Sequence, residues 1–205
     1  MTTRKFVAVA ALLAGAVSLG GCVVGQTVSP SYDVGPGAAA TGAPVALNAH
    51  DERPYVKNGE KPPYFIGQYR GGFGNPWNVS TEGEQPVASL LQRDLAKELQ
   101  SLGHPVVAQS AGVRVLDVAI DDYQFDGYQN AKFWYLFNVR VIGADGKVIA
   151  QSAVEEKQVI QGTFWEGAKG GVEKKLPELY AAAIRKLVRD NPTISSALST
   201  AQPAQ

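Results

Sequence analysis

This 205-residue chain has one cysteine, one methionine, two histidines and no net charge, with 19 Lys+Arg against 19 Asp+Glu. One cysteine excludes an intramolecular disulfide framework and any multi-thiolate zinc or iron–sulfur centre. Two histidines leave little for a metal site. Balanced charge without clustered Lys and Arg excludes a polyanion-binding stripe, so no nucleic-acid partner is expected. Catalytic signatures are also missing. The chain has no Gly-x-Ser-x-Gly elbow, phosphate loop or His-Glu-x-x-His pair. Gly71-Gly72-Phe73-Gly74 neither follows a clear strand nor opens a helix and reads as a flexible loop. Asp121-Asp122 and Glu155-Glu156 are neighbours on strands and point to opposite faces, so neither pair forms an acid/base dyad by itself. His50 and His104 fall at opposite ends of two parallel strands, too far apart to share a metal. These readings predict a non-enzyme with no cofactor and no metal.

The informative feature is the N-terminus. Arg4 and Lys5 precede Phe6 to Leu19, fourteen uncharged and mostly apolar residues. That length suits the core of a secretory signal and is short of the ~20 residues of a membrane-spanning helix. Leu19-Gly20-Gly21-Cys22 follows and resembles the lipobox of bacterial lipoproteins. In that class the signal is cut between the residues corresponding to Gly21 and Cys22, the thiol is acylated, and small residues before the cut fit the peptidase cleft. The single cysteine stands where the lipobox needs it. An uncut anchor over Phe6 to Val24, or an incidental cysteine after an ordinary signal, are the alternatives. Val23 follows the cysteine. The resemblance associates aspartate there with inner-membrane retention, so it implies an outer-membrane, lipid-anchored location facing the periplasm.

Composition then divides the chain into a signal peptide at 1–21, a lipidated cysteine and flexible tether at 22–43, a soluble domain at 44–199 and a disordered tail at 200–205. Residues 23–43 are rich in Gly, Ala, Ser, Thr and Pro and offer little apolar surface to offset ordering. Within the domain, Val45 to Ala49 and His104 to Ala108 read as short strands. Pro86 to Leu102 reads as a helix whose stripe is Val87, Leu91, Leu95, Leu99 and Leu102. Asp51 to Glu84 reads as a long irregular segment.

Val113 to Phe125, Phe133 to Ile142 and Lys147 to Ile160 read as three antiparallel strands. Asp145-Gly146 is a two-residue type I′ hairpin signal, which pairs Val141 with Ala150, Val139 with Ser152 and Phe137 with Val154. After a break at Gly167 to Gly171, a long helix carries Leu176, Leu179, Tyr180, Ala183, Ile184, Leu187 and Val188. A short helix over Thr193 to Leu198 follows Asn191-Pro192. The predicted fold class is α+β: a mixed, mostly antiparallel five-stranded sheet with two long helices packed on one face.

That register puts Trp134 and Leu136 on the face opposite the helices, with Phe164 and Trp165 in the next loop. These four residues form the candidate partner surface, unless the Tyr55–Trp77 segment folds over that face.

The lipobox, the strand ending Asp51-Glu52-Arg53, the helix ending Leu102-Gly103-His104-Pro105-Val106, and the antiparallel section closed by a helix together resemble the YajG-like family of bacterial outer-membrane lipoproteins. The resemblance covers the lipobox and most of Val45 to Leu198. It implies a periplasm-facing α/β domain on the outer membrane and offers no catalytic residues. The expected function is a non-enzymatic binding or structural module whose partner is an envelope protein or cell-wall component. The alternative is an auxiliary lipoprotein of an envelope transport system for lipid or small-molecule cargo, which needs an apolar cavity lined by Trp134, Phe164 and Trp165. Neither partner nor oligomeric state is legible.

Overall fold

The computed structural model describes residues 26–34, 37, 39–70 and 75–200. The residues read as a signal peptide, with Gly21 and Cys22, residues 71–74 and the residues from 201 on lie outside the described residues. In chain order the elements are β1 (Gln26–Val28), β2 (Val45–Asp51), α1 (Pro54–Lys57), β3 (Phe65–Arg70), β4 (Pro76–Thr81), a 3₁₀ turn at Glu82–Glu84, α2 (Val87–Ser101), β5 (Val106–Val107), β6 (Arg114–Gly127), β7 (Ala131–Ile142), β8 (Val148–Ile160), α3 (Ala168–Leu187) and α4 (Pro192–Ser199).

The sheet is mixed, and it has eight strands rather than the five read from the sequence. The meander β6–β7–β8 is its centre. The N-terminal half of β6 pairs with β2, parallel, and β2 with β5, also parallel. The C-terminal half of β6 pairs in parallel with β3, which is antiparallel to β4, and β4 carries β1 in parallel. Two long helices, α2 and α3, are present as expected, with two short ones beside them.

The hairpin pairing is the one expected from Asp145-Gly146: Phe137 opposite Val154, Val139 opposite Ser152, Val141 opposite Ala150. The turn that produces it is different. Gly146 has φ 79° while Asp145 keeps a negative φ, so no type I′ turn forms. The Gly143 amide donates to the Lys147 carbonyl across a longer loop. The register slips between Val141 and Ile142, leaving Ile149 unpaired and restoring the expected alignment below.

One face of β7 supplies Phe133, Tyr135, Phe137, Val139 and Val141, all at most 2% exposed. Tyr123 meets Phe133, Phe137 and Tyr180 ring to ring. The α2 stripe Val87, Leu91, Leu95 and Leu99 and the α3 stripe Leu176, Tyr180, Ala183, Ile184 and Leu187 close this layer as one core. Helix α3 begins at Ala168, inside the glycine run that reads as a break. Gly171 lets it approach the preceding loop, since a Cβ there would lie 2.2 Å from the Gln161 carbonyl oxygen. Leu95→Ala and Ile184→Ala, each removing a fully buried side chain, are each expected to destabilise the protein by about 2–5 kcal/mol. Chemical denaturation measures both, and losses below ~1 kcal/mol would mean these side chains do not carry the core.

The segment expected to be a flexible tether is not one between 26 and 34. Gln26–Val28 is a sheet strand, and Val28 and Tyr32 are buried. The Tyr32 hydroxyl donates to Glu98 Oε2 at 2.5 Å. A few apolar groups among small residues suffice because the rest of the sheet provides their partners. The long irregular segment also resolves into structure: β3 and β4 extend the sheet instead of lying over its outer face.

Candidate functional site

Three buried or half-buried polar hubs organise the surface around the sheet. The first is Arg53, which is 0% exposed. Its Nε and Nη2 donate to the two carboxylate oxygens of Asp51 at 2.8 and 2.7 Å. Nη1 donates to the carbonyls of Phe65 and Tyr123, and Nη2 also to that of Pro63. All five guanidinium donors are thereby engaged. Burial works against the charge, but Asp51 outweighs it and holds the guanidinium pKa above its ordinary value. The Asp51–Arg53 pair reads locally in the sequence. Its role in fastening the entry of β3 to β6 does not, because the acceptors come from residues 63, 65 and 123.

The second hub lies on α2, where Asp94 and Glu98 are both buried. Asp94 accepts from Arg93, Lys97 and the Tyr180 hydroxyl. Glu98 accepts from Arg189 at 2.6 Å, from Tyr32 and from Ser101. Burial pushes both carboxyls up, but these donors outweigh it and hold them below the ordinary carboxylate range. Every partner is structural, so these acids join α2 to α3 and to the N-terminal strand region.

The third hub is Asp122 on the outer sheet face. Its Oδ2 accepts from Trp134 Nε1 at 2.7 Å. Its Oδ1 accepts from Tyr55, from the Tyr123 amide and from Gln124. Trp134 and Leu136, placed on this face by the register with Lys157 and Glu155, are half-buried. Trp134 therefore has a polar partner of its own, with Tyr55 reaching over from α1. The adjacent part of the face is polar: Asp117 accepts from Asn48 and Arg140. His50 lies beside this group, with Nδ1 3.5 Å from Asp117 Oδ1. His104 is seven residue steps away along the paired strands β2 and β5, against the Ala43 carbonyl.

Phe164 and Trp165 are elsewhere in character. Each is 90% exposed, at the tip of a loop past the end of β8. The predicted surface thus divides into a half-buried pair on the sheet face and a fully exposed pair at the sheet end.

A groove of about 770 Å³ was not read from the sequence. Gln26 of β1, Tyr64 and Phe65 at the start of β3, Trp77 and Asn78 of β4, and Glu84 line it. Trp77 is 47% exposed. Lys61 Nζ lies 4.8 Å from the Phe65 ring centroid and donates to Asn78 Oδ1. Among the described residues the buried Gln26 Oε1 has no hydrogen-bond partner. Glu84 holds φ 54°, a left-handed conformation uncommon for a residue other than glycine. An exposed tryptophan, polar side chains and a strained residue converge there. The aromatic richness of this segment was visible in the sequence, but the groove needs β1, whose pairing with β4 was not.

No family model matches the sequence, and no curated protein matches it. Solved structures are similar to this chain in part. A DUF330-family protein from Xanthomonas campestris superposes with a TM-score of 0.53 at 16% identity, over 79% of this chain and 95% of that one. More distant are a minor lipoprotein from Acinetobacter baumannii (TM-score 0.39, 9% identity, 82% of this chain and 100% of that one) and the PelC dodecamer from Paraburkholderia phytofirmans (TM-score 0.41, 12% identity, 76% and 91%). The first of these comparisons establishes the α+β fold as one found in a solved protein.

Proposed function

We propose that this chain is a lipid-anchored, non-enzymatic binding module of the bacterial envelope, held at the outer membrane through Cys22 and facing the periplasm. Its ligand is a neutral glycan chain of the cell wall, taken in the Trp77 groove. One observation carries the binding role: the exposed Trp77 lines one groove with Tyr64 and the polar side chains of Lys61, Asn78 and Glu84, beside a strand that begins four residues after Cys22. An aromatic face with hydrogen-bonding side chains at its rim suits a sugar ring, which offers an apolar face and hydroxyls at its edge. The apolar-cargo alternative is less well supported. It needs Trp134, Phe164 and Trp165 around one cavity, whereas Trp134 is bonded to Asp122 and the other two stand exposed.

The test is a titration with an N-acetylglucosamine tetramer, followed by tryptophan fluorescence. Saturable binding is expected, and Trp77→Ala should weaken it about tenfold, or ~1.4 kcal/mol, without moving the unfolding midpoint. Absence of binding, or equal binding by the variant, contradicts the assignment.

A further inference from the structure

Two observations meet at one end of the sheet. Strand β6 ends at Gly127, and β7 begins at Ala131. Register through the sheet aligns Gln26 with Val79, Gly67 and Phe125, and aligns Trp77 with Tyr69 and Gly127. Strand β1 is parallel to β4, which starts at the Gly127 end and runs away from it. Strand β1 is therefore entered from the Gly127 end, and Gln26 sits two residues, about 7 Å, short of it. Cys22 lies four residues before Gln26, a maximum span of ~14 Å. Whatever holds Cys22 is confined near this end of the domain.

The same end carries the Phe164–Trp165 loop. The Thr163 and Gly167 backbones bond each other in both directions, at 2.8 and 2.9 Å, and the Glu166 amide donates to Thr163 Oγ1. The Gly162 amide donates to Asn130 and the Ala168 amide to the Tyr128 carbonyl, which fastens the loop to the β6–β7 turn. Phe164 and Trp165 pack edge to face, 4.8 Å between centroids, and both project outward. Tyr128, in the β6–β7 turn to which the loop is fastened, is itself half-exposed. Charges at this end occur in both signs, some of them paired, as in Arg70–Asp126 and Lys169–Glu173.

We propose that the Phe164–Trp165 loop, rather than the whole Gly127 end, is the membrane-contacting element of the domain, with both rings seated in the interfacial layer of the bilayer that holds Cys22. This rests on the anchoring part of the proposed function. Tryptophan and its aromatic neighbours favour that layer because their rings are apolar and the indole N–H stays hydrated. A short, fastened loop presents them without ordering cost on contact, and the four-residue distance keeps them at the surface. The occupant is lipid: charges of both signs offer no one-signed field for a polyanion, while the nearest chemistry specified by the chain is an acylated terminus.

The full chain, purified from membranes, is reconstituted into phosphatidylethanolamine–phosphatidylglycerol vesicles with brominated acyl chains, beside Trp165→Phe. Brominated lipid is expected to quench the parent's emission, and Trp165→Phe to remove more than half of the quenchable signal. Equal quenching of parent and variant overturns the proposal. So does a Trp165 signal that stays accessible to aqueous iodide, or one shielded from iodide but insensitive to brominated lipid, which would place protein over the loop. The acyl content of Cys22 is read by mass on the same preparation. An unacylated chain that still shows Trp165-dependent quenching refutes the anchor and supports the loop contact; an acylated chain without it does the reverse.

Discussion

Replacing Arg53 by alanine is expected to cost about 3–5 kcal/mol, a large part of the ~5–15 kcal/mol that stabilises a domain. The Asp51 carboxylate would lose its bidentate partner, and the carbonyls of Pro63, Phe65 and Tyr123 would lose their donor. Those carbonyls belong to the entry of β3 and to β6, so the loss falls where the added strands β3, β4 and β1 join the central meander. Arg53→Lys should recover little. An ammonium is a point charge and cannot span a carboxylate and three carbonyls lying in different directions. Guanidinium denaturation of both variants checks this. A loss under ~1 kcal/mol in Arg53→Ala would mean that the buried network is dispensable.

Cys22→Ala is expected to abolish acylation outright and to leave a precursor whose signal is uncut by the lipoprotein route. A membrane-held lipoprotein depends on its acyl chains, at about 0.8 kcal/mol per buried CH₂, and alanine offers no thiol to acylate. Among the described residues no helix is long and apolar enough to cross a membrane, so the folded domain offers no spanning helix in place of the anchor. Metabolic labelling with palmitate should mark the parent and not the variant, and the variant should retain its signal segment. Labelled variant, or membrane retention of a processed variant, would contradict the assignment.

The meander was legible because its middle strand, β7, alternates strictly. Phe133 to Val141 place every second residue in the core, and a one-residue slip would expose all of them, so the register survives a turn of unexpected geometry. Strands β3 and β4 were not legible. Gly67, Pro76 and Trp77 break the alternation, and their pairing is read only once β6 is known to extend past β2. Strand β1 is three residues long and pairs with residues more than fifty positions away. No local pattern carries that information.

The candidate surface was legible in part. Exposure of Phe164 and Trp165 follows from a loop that has no strand or helix to bury them. Placement of Trp134 on the outer face follows from register, but its bond to Asp122 required the bulge between Ile120 and Asp122, which turns that carboxylate toward the indole. The Trp77 groove was hidden with β1.

The mass of the mature N-terminus tests the anchored-module account most directly. Mass spectrometry of the membrane-extracted protein is predicted to show a chain beginning at Cys22, with fatty-acyl groups on its thiol and its amino terminus. A soluble chain cut at another residue, or one carrying an unmodified Cys22, would contradict it.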